Sequence, residues 1–336
     1  MMRTAASLAV AVSIAALTAA RAGAQAQSPS PAPTPTPTPE VFAPGVISGP
    51  ASDLSPAFTP DGNTVFFTRA NGMQSTILVS HRVAGRWSTP TIAPFSGRWR
   101  DLEATMAPDG SYLIFASNRP STRGGTPLDG HYNGAVQPEK GGNLWRVDRT
   151  AHGWGAPRRL PDVINQNTSI FSPSIAANGS LYFMQPAGAH GRFHLFRAGY
   201  EHGTYAPPVP VDVGGEEDVG DFDPAVAPDE HFLVFSSARM KEKGTSLFIT
   251  FRHDGAWAPP VYLGDSVSAP GTGNIEARLG PDARTLYFSS TRVVPTPPDD
   301  PAASARGLER MESWNDGLMN VWRVSLAPWL RAGAEP

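Results

Sequence analysis

Ten charged residues recur at equivalent places in this chain, and they are the ones able to do chemistry. Asp53, Asp101, Glu103, Asp221, Asp223 and Glu276 each open a short apolar stretch, and Arg69, Arg119, Arg239 and Arg292 each close the stretch that follows. Carboxylates gathered round one opening can bind a cation or a sugar, or work as a general acid and base. Carboxylates that each face a guanidinium hold structure instead. If the two stretches are antiparallel strands, Glu103 stands opposite Arg119, Asp223 opposite Arg239 and Glu276 opposite Arg292, and these six are expected to be structural ion pairs. In the third copy acid and arginine are lost together, to Ser172 and Gln185, as a paired role requires. In the first, Ser55 faces Arg69, with Asp53 two residues earlier as a substitute. Asp53, Asp101 and Asp221 lie two residues before the paired position and, by the strand period of two, on the same side. They are the candidates for catalysis at a channel mouth, and Asp101 and Asp221 are also candidates for ligand binding.

Other chemistries find little support. There is no cysteine, which excludes disulfides, thiolate catalysis and Cys-ligated metal. His190 and His194 have a spacing that suits metal on a helix, but "HGRFH" reads as loop running into strand, so no metal is expected there. No Gly-x-Ser-x-Gly elbow and no glycine-rich phosphate loop is present, and no cofactor is expected. Trp87, Trp154, Tyr205 and Trp257 recur at equivalent places, which points to packing. Trp99 and Trp314 break that pattern, and both are expected to contact ligand.

The elements that must position these residues come from a repeat. "SPAFTPDGNTVFFTR" from Ser55 recurs from Glu103, Ser172, Asp223 and Glu276, at a period of about 50 residues. One unit reads as four strands. "EATMAP" is followed by a Pro108-Asp109-Gly110 turn and the buried strand "SYLIFAS"; "NLWRVDR" is third, and "WGAPRRL" is an edge strand that tolerates proline. Four antiparallel strands per unit describe a propeller blade. Five third strands but only four following fourth strands can be counted. "VFAPGVIS" from Val41 has the layout of "AWAPPVYL" from Ala256, so it is expected to complete the last blade beside "NVWRVSL". The fold class is all-β, a propeller of five four-stranded blades closed by the N-terminal strand, with six blades as the alternative. Both long insertions, residues 120–142 and 293–319, follow second strands and therefore share one face. Long loops on a rigid scaffold commonly carry function.

The repeated Pro-Asp-Gly pattern resembles that of the TolB-like, WD-like propellers of bacterial periplasmic proteins, over residues 41–327. The resemblance implies a propeller in the cell envelope. The six blades and separate N-terminal α/β domain of TolB are not matched, which weakens any transfer of an envelope-spanning role.

Residues 1–24 read as a signal peptide cut between Ala24 and Gln25, and residues 25–40 as a Pro-rich tether. The propeller is expected over 41–328 and a tail over 329–336. Loss of Arg3 and Arg21 with the leader takes the formal charge from −3 to −5. With no basic run, nucleic acid and anionic membrane are poor partners. The expected function is that of a monomeric, secreted, periplasmic or extracellular propeller that binds a protein or polysaccharide of the envelope without catalysis. The alternatives are a carbohydrate-active hydrolase or lyase using channel-mouth carboxylates, and a small-ligand or metal-binding sensor.

Overall fold

In the computed structural model each repeat forms one blade. The structure describes residues 37–72, 74–216, 218–296 and 300–333. The expected leader, the tether as far as residue 36 and the end of the tail lie outside the described residues. Blade 1 runs through Ser52–Phe58, Thr64–Ala70 and Ser75–Val83; blade 2 through Asp101–Met106, Tyr112–Ser117 and Asn143–Thr150. Blade 3 uses Phe171–Ile175, Leu181–Ala187 and Arg192–Ala198; blade 4 uses Asp221–Val226, Phe232–Ser237 and Ser246–His253. Blade 5 uses Asn274–Leu279, Thr285–Ser290 and Asn320–Ser325. The innermost strands touch in the cyclic order 1-2-3-4-5-1 round a central channel. The fold is a five-bladed propeller.

The outer strands are shorter than the sequence suggests. In blade 1, Arg86–Trp87 and Thr91–Ile92 both pair with the third strand and Pro90 separates them. Proline cannot donate to the ladder, so the strand breaks there. The aromatic residue before each break packs between blades, as expected: Trp154 stands edge-on to Phe66 at 5.4 Å, and Trp257 edge-on to Tyr182 at 6.3 Å.

The ring closes as read from the sequence. Glu40–Val41 pairs antiparallel with the third strand of blade 5, Val41 opposite Trp322, and the Phe42 N–H donates to the Val321 carbonyl at 2.8 Å. The third strand of the last blade is thus covered on its outer side.

The inner strands depart from simple alternation. Each has a register shift against its second strand, between Leu54 and Ala57, Leu102 and Thr105, Phe171 and Ser174, Phe222 and Ala225, and Ile275 and Arg278. At every shift one residue has positive φ: Ser55, Glu103, Ser172, Asp223 or Glu276, all between 48° and 59°. None is glycine, so each bulge costs about 1–3 kcal/mol, which its surroundings must offset.

Candidate functional site

The bulges decide which acids meet the arginines. Before each bulge the ladder is regular, and the residue there faces the end of the second strand. Asp53 accepts from Arg69 Nε and Nη2 at 2.7 and 3.1 Å, and Asp101 from Arg119 Nε and Nη2 at 3.2 and 3.1 Å. Asp221 accepts from Arg239 Nη2 at 2.7 Å. All three aspartates are buried. Asp101 also accepts from the hydroxyls of Ser96 and Ser117 at 2.8 and 2.7 Å. The two expected roles are therefore exchanged. Asp53, Asp101 and Asp221, expected to be free carboxylates for catalysis or binding, are the ion-paired ones. Arg119 and Arg239 pair with them and not with Glu103 and Asp223. In blade 5 the equivalent position is Asn274, and Arg292 donates to the Val267 carbonyl at 2.7 Å in place of any contact with Glu276. The error lies in carrying the period of two through a bulge. A signal was present: Pro56, Pro173 and Pro224 follow the shifted residue in three copies, and proline inside an inner strand marks interrupted pairing.

The Asp101 clamp makes a direct prediction. Asp101→Asn is expected to cost about 3–5 kcal/mol, because it leaves a buried guanidinium without its counter-charge. Urea unfolding measures this, and a loss below about 1 kcal/mol would reduce the clamp to an ordinary surface pair.

The shifted residues turn into the channel and form a ring of Ser55, Glu103, Ser172, Asp223 and Glu276, all buried. The positive φ aims backbone N–H groups at the neighbouring blade. Ser172 N–H donates to Glu103 Oε2 at 2.7 Å, and Glu276 N–H to Asp223 Oδ2 at 2.8 Å. The Ser172 hydroxyl donates to Asp223 Oδ1 at 2.8 Å, and the Ser55 hydroxyl donates to Glu276. Carboxylate oxygens of Glu103, Asp223 and Glu276 lie within 4.8 Å of one another. Two residues further along, the inner strands carry Ala57, Thr105, Ser174, Ala225 and Arg278. Small side chains in four blades leave room for the arginine of the fifth. Arg278 is 4% exposed, and its Nη2 donates to Glu276 Oε2 and to the Ser172 hydroxyl, each at 3.3 Å. This residue was missed in the sequence, although it alone breaks a row of small side chains.

Three acids and one cation do not balance. Burial pushes the Glu103 carboxyl up to about 7, helped by the nearby charge of Asp223. Burial, then Asp223 and Glu103, raise Glu276 well above the ordinary range. Protons and Arg278 together neutralise the ring. Below it a cavity of about 340 Å³ opens between the Pro-Asp turns of four blades, with Pro60, Pro108, Pro228 and Pro281 at its rim and Arg278 in its wall.

The two singled-out tryptophans differ. Trp314 is 7% exposed, edge-on to Trp322 at 6.2 Å, within the core shared by blades 4 and 5. It caps the helix Pro301–Ser313 (α1) of the second insertion, so the expected ligand contact is corrected to a packing role. Trp99 is half-exposed in the connection between blades 1 and 2, with the Arg98 guanidinium 5.2 Å from its ring centre.

No family model and no curated protein matches the chain. Similar solved structures include TolB from Agrobacterium tumefaciens, 14% identical over 72% of this chain and 70% of that one, TM-score 0.46. TolB from Acinetobacter baumannii is 19% identical over 67% of this chain and 45% of its own, TM-score 0.41. An alpha-L-arabinofuranosidase from Podospora anserina, solved with cellotriose, is 13% identical over 86% of this chain and 96% of that one, TM-score 0.49. These likenesses concern strand arrangement alone; the five blades rest on the sheets themselves.

Proposed function

We propose that the protein is an exported, TolB-like propeller of the cell envelope that binds a protein or polymer there without catalysing a reaction. One observation carries this reading: the channel carboxylates are spent on the ring itself. A glycosidase needs two carboxyl groups across an open cleft, with room for a sugar or water between them. Glu103, Asp223 and Glu276 instead crowd within 4.8 Å, are buried, and accept from backbone N–H groups, serine hydroxyls and Arg278. The face of the two insertions offers binding surface. On α1, Leu308 and Met311, three residues apart on one side of the helix, are each 57% exposed.

The test compares the two faces. Leu308→Glu with Met311→Glu, and Trp99→Ala, are made on the insertion face; Arg149→Glu and Arg284→Glu are made on the turn face. Co-sedimentation with purified envelope fractions is expected to fall at least about tenfold for the first group, a loss of ~1.4 kcal/mol, and to stay unchanged for the second. Equal behaviour of both groups, or glycoside cleavage that Glu103→Gln abolishes, would overturn the reading.

A further inference from the structure

The connection between blades 1 and 2 and the first insertion enclose a pocket of about 330 Å³, on the face carrying both insertions. Its walls are held by Asn118, which is buried. Its Oδ1 accepts from the Arg100 N–H at 2.9 Å and its Nδ2 donates to the Glu139 carbonyl at 2.8 Å. One side chain therefore ties the blade connection to the insertion, and the pocket is preformed.

Two features of the lining point to a ligand. Arg98, Arg100 and Lys140 line it with a single acid, Glu139, and none of the three cations makes an ion pair among the described residues. Trp99 contributes a half-exposed ring between two of them, with the Arg98 guanidinium 5.2 Å from its centre.

We propose that this pocket binds an acidic saccharide. The cations take its carboxylate or phosphate, and Trp99 takes the apolar face of a sugar ring. The inference rests on the envelope-binding reading and names the polymer class it would hold.

The experiment is an array of neutral, carboxylated and phosphorylated oligosaccharides, with mononucleotides beside them, probed with the full chain and followed by titration calorimetry on any hit. Acidic oligosaccharides are expected to bind at least tenfold more tightly than their neutral counterparts, and more weakly as salt rises. The carboxylated and phosphorylated arms tell the two anions apart. Trp99→Ala and Arg98→Ala are each expected to lose tenfold or more while the unfolding midpoint holds; Lys140→Gln serves if either shifts it. No preference for acidic over neutral sugars, binding unchanged in these variants, or nucleotides bound in their place would overturn the proposal. Retention on envelope fractions that survives such a result would leave the broader reading standing; loss of both would remove the two together.

Discussion

Replacing Arg278 with methionine is expected to destabilise the protein by about 3–5 kcal/mol at pH 8, and by clearly less at pH 5.5, because a buried charge network loses its one cation. At pH 8 the buried carboxyls of Glu103 and Glu276 must ionise within one crowded ring or hold protons against the solvent. At pH 5.5 both take protons readily. The sign follows from the raised carboxyls. Glu103 titrates at about 7 in the fold against 4.5 unfolded, so the stability tied to its proton is complete below pH 4.5 and disappears as pH rises through 7. Glu276 moves in the same direction. A displacement of that size corresponds to something on the order of 3 kcal/mol. Wild-type protein should therefore weaken between pH 5 and 8, and Glu276→Gln should flatten that slope. Adding Glu276→Gln to Arg278→Met should recover part of the loss, since residues in contact do not act additively. Urea midpoints at the two pH values decide the matter. A cost for Arg278→Met that is the same at both would show that the ring is neutralised in another way.

Deleting residues 37–48 is expected to make the protein self-associate. The deletion strips the outer edge of the last blade. Val321 loses partners on both sides of its peptide: the Phe42 N–H donates to its carbonyl at 2.8 Å, and its N–H donates to the Ser48 hydroxyl at 3.1 Å. An open strand edge pairs with another chain, so size-exclusion light scattering should show a mass that grows with concentration. Point substitutions separate packing from charge. Phe42 sits edge-on to Phe58, Trp87 and Tyr287 at 5.6, 5.7 and 5.1 Å, which places it between the first and last blades. Phe42→Ala is expected to cost about 3–5 kcal/mol through the lost burial and the cavity left behind. Arg323→Ala removes the exposed pair with Glu40 and a contact at the edge of Tyr287, and should cost under about 1 kcal/mol. If the two variants prove equally harmful, the seam is not held by its aromatic cluster.

The repeat by itself determined the blade number, the strand order within each blade, the closing strand and the shared face of the two insertions. All of these follow from local patterns, tight-turn residues and a count of strands, and they survive small errors in register. The roles of individual acids were not legible in the same way. Asp101 and Glu103 stand two residues apart in an apparently regular strand, yet one is clamped by Arg119 and the other enters the channel. A single residue in left-handed conformation reverses side-chain direction, and only the contact between blades holds it there. Arg278 is likewise defined by what four other blades leave vacant, and Trp314 by the tryptophan of a neighbouring strand. These partners lie from eight residues apart, as with Trp314 and Trp322, to 221 apart, as with Ser55 and Glu276. Tertiary structure alone brings them into contact, and in the channel ring burial rather than residue type settles which groups carry charge.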